Sequence, residues 1–392
     1  MINVLSFTSL YPNAAQPVHG VFVENRLRRL LETGEVKITV VAPVPWFPFK
    51  SALFGRYSDF ARVPAHEVRH GIDIFHPRYK VVPKVGMSIA PSLMFRGVRD
   101  EVIRLKRLLQ IDLIDAHYFY PDGVAAVRLA QDLAVPVCVT ARGSDLTEIP
   151  AFPKPRQQIA QAAGDADAIV TVCDALQRPL VDLGIDRAKI RTLRNGVDLD
   201  LFQPVGRDIA RAKWGVTGKT VLSVGLLIDR KGHNLTIEAM QHIPNTTLLI
   251  AGSGETRGEL EAQIKSLGLT DRVRLLGQVP HEDLPSLYSA ADAMVLASSR
   301  EGWANVLLEA MACGTPVVAT DIWGTPEVVA APEAGVLIKE RSPEAIIKGI
   351  EQLFAALPDR AATRAYAEKF SWNETTQGVL QLFRDLTAGQ SR

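Results

Sequence analysis

The stretch Ala293-Met294-Val295-Leu296-Ala297-Ser298-Ser299-Arg300-Glu301-Gly302-Trp303-Ala304-Asn305-Val306-Leu307-Leu308-Glu309-Ala310-Met311-Ala312-Cys313-Gly314-Thr315-Pro316-Val317-Val318-Ala319-Thr320 decides the fold. Its ends, Ala293–Leu296 and Pro316–Thr320, are short continuous apolar runs, the pattern of strands buried on both faces. Between them Ala304–Cys313 has a helical pattern and closes on Gly314. Strand, helix and strand in so short a span predict a parallel crossover unit. Ligands of such sheets bind beyond the carboxyl ends of the strands. That is where Glu301 and Gly302 fall, in the turn after the first strand. The amides of Trp303, Ala304, Asn305 and Val306 are then expected to form a free helix N-terminus, which attracts phosphate.

The same rhythm runs in both directions from this unit. Upstream in the second half, strands are expected at Thr220–Val224, Thr247–Ala251 and Val273–Leu276, with helices near His233–His242 and Thr256–Leu267. The first half gives strands Ile2–Phe7, Lys37–Ala42, Leu113–His117, Val135–Thr140, Ala168–Val172 and Ile190–Leu193. Helical patterns at Val21–Glu32, Val98–Leu109 and Gly123–Leu133 separate several of them. Strand–helix alternation of this kind predicts doubly wound parallel sheets. There are too many strands for one sheet, so two α/β domains are expected. The turn signals Asn195-Gly196 and Pro204 place the boundary in 195–215. The reading assigns 1–200 to a first domain and 201–370 to a second, with a terminal helix in 371–392 crossing back onto the first.

Composition agrees. The chain has 392 residues, 47% of them apolar and 22% charged, which excludes a disordered chain. Lys plus Arg number 44 against 43 acids, a net charge of +1, too balanced for a dedicated nucleic-acid binder. Three dispersed cysteines, Cys138, Cys173 and Cys313, offer neither a disulfide framework nor zinc spacing. They suit a reducing compartment. The start, Met1-Ile-Asn-Val-Leu-Ser-Phe, reads as a strand rather than an export signal, and no apolar run reaches the ~18 residues of a spanning helix. The expected location is cytoplasmic. One segment qualifies this: Arg78, Lys80, Lys84, Arg96, Arg99, Arg104, Lys106 and Arg107 are opposed by Asp100 and Glu101 alone. Apolar residues are interleaved, and Trp46-Phe47-Pro48-Phe49-Lys50 lies upstream. Such a surface suits either an ordinary solvated helix or the anionic inner face of a membrane.

Several strand ends carry residues suited to an anionic ligand. After Thr220–Val224 comes Gly225-Leu-Leu-Ile-Asp229-Arg230-Lys231-Gly232, two cations beside glycines at a strand-to-helix loop. After Thr247–Ala251 comes Gly252-Ser253-Gly254, a fragment of a dinucleotide fingerprint without its third glycine. Glu309 lies eight residues beyond Glu301, which at ~1.5 Å per residue separates the carboxylates by on the order of 12 Å. Paired glycosidase carboxylates lie closer, ~5–5.5 Å apart in retaining enzymes. Glu301 and Glu309 therefore suit opposite ends of an elongated ligand: a sugar at one end, a ribose at the other, diphosphate between.

The pattern Glu301-x7-Glu309 followed by Ala310-Met-Ala-Cys-Gly-Thr-Pro-Val317 resembles the family 4 retaining glycosyltransferases of the GT-B fold. Val224-Gly225…Lys231-Gly232, Gly252-Ser253-Gly254, Asn195-Gly196-Val197-Asp198, Gly324-Thr325-Pro326-Glu327 and Phe370-Ser371-Trp372 extend the likeness over most of the chain. The opening, Thr8-Ser9-Leu10-Tyr11-Pro12…Pro17-Val18-His19-Gly20-Val21-Phe22-Val23, is similar to members that build teichuronic acid and exopolysaccharides. The resemblance implies two Rossmann-like domains facing a central cleft. It implies a nucleotide-diphosphate sugar donor on the second domain and a saccharide or lipid-linked acceptor on the first. It also implies retention of anomeric configuration without a metal or other cofactor. By the family pattern Glu301 contacts donor-sugar hydroxyls and Glu309 the ribose, while Arg230 and Lys231 neutralise the diphosphate. The donor-side set is Gly225, Gly252, Gly254, Gly302, Trp303, Ala304, Asn305, Val306 and Glu309. Many members carry Arg directly after the first glycine of that loop; here Leu226 stands there, and Arg230 is expected to supply the guanidinium.

On the acceptor side, His117 ends the strand Leu113–His117 and is expected to project into the cleft to orient the acceptor or share a proton. Thr140-Ala141-Arg142-Gly143-Ser144-Asp145 ends the next strand. The family commonly has His where this chain has Arg142, and Arg cannot serve as a proton carrier near neutral pH. Arg142 could bind a phosphate, Asp145 could fix the loop, and Gly20 completes the acceptor-side set. Three rivals are weighed against this reading. A nicotinamide dehydrogenase lacks its full glycine fingerprint and ribose acid. A sugar-nucleotide epimerase on the same fold would need no acceptor, and a non-catalytic nucleotide-sugar scaffold would show no turnover.

Overall fold

The computed structural model describes residues 1–51, 53, 56–82 and 86–388. Lys84 of the basic segment and the end of the terminal stretch, 389–392, lie outside them.

The chain forms two compact units, Met1–Arg194 with Asn373–Arg392, and Asn195–Trp372. The division falls at Asn195, ahead of the expected 200/201. The Asn195–Val197 turn is tied into the second unit, where Val197 N–H donates to the Phe370 carbonyl and Gly196 is pressed against the Trp372 backbone.

The first unit contains β1 (Ile2–Phe7), β2 (Val36–Val41), β3 (Val44–Pro45), β4 (His66–Arg69), β5 (Ile72–Phe75), β6 (Arg78–Tyr79), β7 (Leu113–His117), β8 (Val137–Ala141), β9 (Ala168–Thr171) and β10 (Ile190–Thr192). Eight of these form one sheet in the order β10-β9-β8-β7-β1-β2-β5-β4, while β3 and β6 pair separately. The pairing is parallel except for the β4–β5 hairpin at one edge. The order reverses between β1 and β7, so their carboxyl ends open at the switch point. The helix Val21–Glu32 covers the sheet through Val23, Leu27 and Leu30. The same core takes Val379, Leu380 and Phe383 from the helix Trp372–Ala388, which completes the unit from the far end of the chain.

The second unit contains β11 (Lys219–Val224), β12 (Thr246–Ala251), β13 (Val273–Gly277), β14 (Ala293–Leu296), β15 (Val317–Thr320) and β16 (Gly335–Ile338), in the order β13-β12-β11-β14-β15-β16. All of its pairings are parallel. Here the switch point lies between β11 and β14, the two strands that precede the Arg230-Lys231 and Glu301 loops. The helix after β14 starts at Asn305 and ends at Ala312, one residue shorter at each end than its sequence pattern suggested. No helix among the described residues is long and apolar enough to cross a membrane.

Candidate functional site

Topology explains why the donor-side residues meet. The neighbours β11 and β14 release their loops at the same sheet end, although about 70 residues separate them in sequence. After β11 the backbone turns through Gly225 and forms one 3-10 turn, Asp229–Lys231. Gly232 then adopts φ 70°, where a Cβ would stand 2.2 Å from the Ala297 carbonyl. Only glycine lets the two loops approach this closely. Ser299 N–H donates to the Arg230 carbonyl at 2.8 Å. Arg341 bridges both loops, donating to the carbonyls of Ala297 at 2.9 Å and Asp229 at 2.5 Å.

Within this frame Lys231 Nζ donates to Glu301 Oε1 at 2.6 Å, and the Ser298 hydroxyl donates to the same oxygen at 2.6 Å. Arg230 stands 3.7 Å from that oxygen and donates to the Arg300 carbonyl at 2.8 Å. Arg230 thus brings its guanidinium to the loop where Leu226, an exposed side chain, offers none. The Glu301 and Lys231 side chains keep 10% and 12% of their surface exposed, so their attraction acts in a partly desolvated setting.

Glycines 252 and 254 pack directly on the backbone of the neighbouring loop. A Cβ on Gly252 would lie 1.8 Å from the Gly225 carbonyl oxygen, and one on Gly254 would lie 2.2 Å from that of Leu227. The free helix start is also narrower than expected. Asn305 N–H turns back to the Trp303 carbonyl at 3.2 Å, and the Trp303 and Ala304 side chains are buried. The Trp303 indole donates to the Asn195 carbonyl at 3.0 Å, which leaves Gly302, Asn305 and Val306 as the partly exposed members of that run.

Glu309, on the helix Asn305–Ala312, accepts a 2.9 Å hydrogen bond from the Tyr288 hydroxyl. Burial drives its carboxyl up to about 7, and the Tyr288 bond only partly opposes this. Near neutral pH it stands between its charged and neutral forms. Tyr288 carries no sequence signal of a role here; its helix Leu284–Ala290 reads as ordinary core.

The acceptor-side residues gather at the switch point of the first sheet, but turned inward. His117 does not project from the strand; it is fully buried. Its Nδ1 lies 2.8 Å from an Arg142 guanidinium nitrogen and its Nε2 3.2 Å from Asp115 Oδ2. Guanidinium is only a donor, so Nδ1 is the acceptor and the proton sits on Nε2. Burial, aided by the Arg142 charge, lowers His117 to about 4 against the pull of Asp115. The ring is therefore neutral at physiological pH. Arg142 is engaged with His117 and lies over the Phe22 ring at 5.2 Å, instead of reaching out for a phosphate, and burial lowers it to about 9. Asp115 and Arg26 complete the cluster. Burial disfavours the Asp115 charge, yet His117, Arg26 and Arg142 together hold it below the usual carboxylate range. Asp145 is spent on its own loop, accepting from the amides of Gly143, Phe119 and Arg142 at 2.7, 2.9 and 3.1 Å. Gly20, at φ 73°, starts the helix Val21–Glu32 where a Cβ would meet the Leu10 carbonyl at 2.3 Å. Asp122, passed over in the sequence, accepts from Ser9 and anchors the loop after β1. Among the described residues no group of three or more His, Cys, Asp or Glu side chains is placed to hold a metal ion.

Comparison with known proteins agrees with this architecture. The model for glycosyl transferases group 1 matches residues 206–370, and that for glycosyltransferase family 4 matches 78–201. The chain is 29% identical to the putative teichuronic acid biosynthesis glycosyltransferase TuaC of Bacillus subtilis, over 89% of this chain and 88% of that protein. It is 32% identical to the D-inositol 3-phosphate glycosyltransferase of Mycolicibacterium smegmatis, over 69% of this chain and 66% of that protein. Among solved structures, sucrose-phosphate synthase of Thermosynechococcus elongatus aligns with TM-score 0.81 at 21% identity, covering 99% of this chain and all (100%) of that one. Anabaena HepE in complex with UDP aligns with TM-score 0.76 at 20% identity, covering 98% and 100%. With both family models matched in order along the two units, and the GT-B fold beneath them, the chain belongs to the family 4 glycosyltransferases.

Proposed function

We propose that this protein transfers a sugar, with retention of anomeric configuration, from a nucleoside-diphosphate sugar to a hydroxyl of a lipid-linked or growing saccharide in cell-envelope or exopolysaccharide synthesis. The observation that carries the donor side is the meeting of Lys231 and Arg230 on Glu301 at the β11–β14 switch point. The Glu301 carboxylate stands where an anion neutralises two cations. A diphosphate competes for those cations and frees Glu301 to accept hydrogen bonds from sugar hydroxyls. Glu309, on the helix that follows the Glu301 loop, suits a ribose. The UDP and UDP-glucose bound by HepE support this class of donor, and the likeness to the teichuronic acid biosynthesis glycosyltransferase TuaC supports the class of product.

The sugar C1–oxygen bond to the diphosphate breaks first, with the departing charge met by Lys231, Arg230 and the backbone near Gly302. The acceptor oxygen bonds C1 from the same face, and its proton passes to the departing phosphate oxygen. His117, neutral and enclosed between Arg142 and Asp115, orders those two side chains rather than carrying that proton. The leaving-group charge is met by side chains, so the proposed reaction uses no metal. The work is placed at the cytoplasmic face of the membrane.

The test is a thermal-shift panel of UDP-, GDP- and ADP-sugars, followed by donor turnover with any stabilising nucleotide. Lys231→Ala is expected to lower turnover by a factor of 100 or more, roughly the weight of one oxyanion-type contact, while its unfolding temperature stays within a few degrees of wild type. Unchanged turnover in that variant, or no stabilisation by any nucleotide-sugar, defeats the proposal.

A further inference from the structure

The proposed transfer gives no task to His233, two residues beyond Lys231, although it is buried at 2% exposure. Its ring reaches back across the loop to the strand before it. Nε2 lies 3.1 Å from the Leu226 carbonyl oxygen, and Nδ1 lies 3.0 Å from the Ser223 hydroxyl. A carbonyl only accepts, so Nε2 carries the proton and Nδ1 takes the hydroxyl hydrogen of Ser223. Burial lowers the ring to about 4 against the pull of the Leu226 carbonyl, and the Lys231 charge adds to the effect of burial. A single neutral tautomer therefore holds near pH 7. A Leu or Phe would fill this space with no polar group to desolvate, so the two satisfied nitrogens point to a use beyond packing.

The two hydrogen bonds span the loop that carries the cations. Ser223 lies on β11, Leu226 opens the turn after Gly225, and His233 opens the helix His233–Ala239. The Leu226 carbonyl is shared, for it also accepts from Ile228 N–H at 3.0 Å. The Ile228 carbonyl in turn accepts from Lys231 N–H at 2.9 Å. The ring thus anchors a relay that ends at the Lys231 backbone. The Lys231 side chain runs back over the start of the same loop, where a Cβ on Gly225 would stand 3.4 Å from its Cδ and Cε. Both ring nitrogens are engaged inside the loop, so His233 acts through Lys231 and not on a ligand. A cation held in place before its anion arrives loses less freedom on binding and is aligned when charge develops.

We propose that His233 is a positioning residue for the transfer. As the Nε2–H tautomer set by Ser223, it fixes the Leu226 carbonyl and through it the Lys231 backbone, so that Lys231 meets the departing diphosphate already aligned. The inference rests on the donor reading above, which supplies that diphosphate.

The test begins with calorimetric binding of UDP, GDP and ADP to the full chain, then measures steady-state turnover of the matching nucleotide-sugar. His233→Phe keeps the bulk and removes both hydrogen bonds; its kcat should fall about tenfold while KM changes less than about threefold, since the leaving-group charge peaks in the transition state. His233→Gln, whose amide nitrogen reaches the Leu226 carbonyl, should restore kcat to within about threefold of wild type. In a Lys231→Ala background His233→Phe should cost nothing further, because the effect passes through Lys231. Ser223→Ala, a smaller change, carries the same test if the Phe variant does not fold: kcat about threefold lower alone, and unchanged when added to Lys231→Ala. Wild-type kcat in a folded His233→Phe, no rescue by Gln, or a full loss on top of Lys231→Ala overturns the inference and leaves the donor reading standing. Binding of none of the three nucleotides by wild type overturns the donor reading and this inference with it.

Discussion

Replacing Glu309 by Gln tests the donor reading through pH. Burial raises this carboxyl from the ordinary 4.5 to about 7. A ribose that donates two hydroxyl hydrogen bonds selects the charged form. The ionised fraction falls about tenfold between pH 8 and pH 6 for a group titrating near 7, so nucleotide-sugar affinity should fall by about the same factor. A diphosphate esterified at both ends does not titrate in that range, so the slope belongs to the protein. The sign also fixes apo stability. A carboxyl raised above its unfolded value binds its proton more tightly when folded, so the folded state loses stability as pH rises from 4.5 to about 7. The full shift corresponds to about 3 kcal/mol, an upper value because Glu309 keeps part of its surface in solvent. Titration calorimetry for binding and urea unfolding for stability, each at several pH values in wild type and in Glu309→Gln, read the two effects. The variant should bind weakly with a flat pH profile, and its unfolding free energy should lack the wild-type slope in this window. A wild-type affinity that changes by less than a factor of two between pH 6 and pH 8 would refute the reasoning.

Further outcomes follow from neighbouring contacts. Tyr288→Phe removes the hydrogen bond that lowers the Glu309 carboxyl, so the midpoint of the same binding profile should move to higher pH; a shift to lower pH would contradict the geometry. Arg142→Gln removes a positive charge that keeps His117 neutral, so nitrogen-15 NMR should show the His117 midpoint rising from about 4, with Nε2 as the protonated site in wild type. Gly252→Ala forces a Cβ to 1.8 Å from the Gly225 carbonyl and should cost ~3 kcal/mol or more in thermal or urea unfolding. Gly258→Ala is the control: it lies on the helix Arg257–Ser266 with nothing within 4 Å of the added methyl, and should stabilise by about 0.5–1 kcal/mol.

The parallel strands were legible because each is a short, mostly apolar run bounded by polar or turn residues; Ile2–Phe7, Leu113–His117 and Ala293–Leu296 match to the residue. The β4–β5 hairpin escaped notice. Its strands alternate apolar and polar residues at a sheet edge, and its turn is His70-Gly71, where φ is 49° and 78°, the conformation that Asn-Gly usually announces. In the site, Lys231 and Glu301 could be found because both follow strand ends, where chemistry concentrates. Tyr288 could not, since its partner lies on another helix. His117 was misjudged for a related reason: a strand-end position tells where a residue sits, not which way neighbours turn it. Arg26 was a readable clue. It falls on the buried stripe of its helix with Val23, Leu27 and Leu30, where an unmatched guanidinium requires an acid nearby. Asp115, at a buried position of β7, is that acid.

The return of the helix Trp372–Ala388 to the first unit has a temporal consequence. On the ribosome, the part of the chain made first cannot seal its core until Val379, Leu380 and Phe383 have been synthesised and have cleared the exit tunnel. The second unit, continuous from Asn195 to Trp372, can fold before then. The nascent protein thus spends most of its synthesis with an open apolar groove on its oldest portion, the site at which a holdase chaperone would compete with the last helix to emerge.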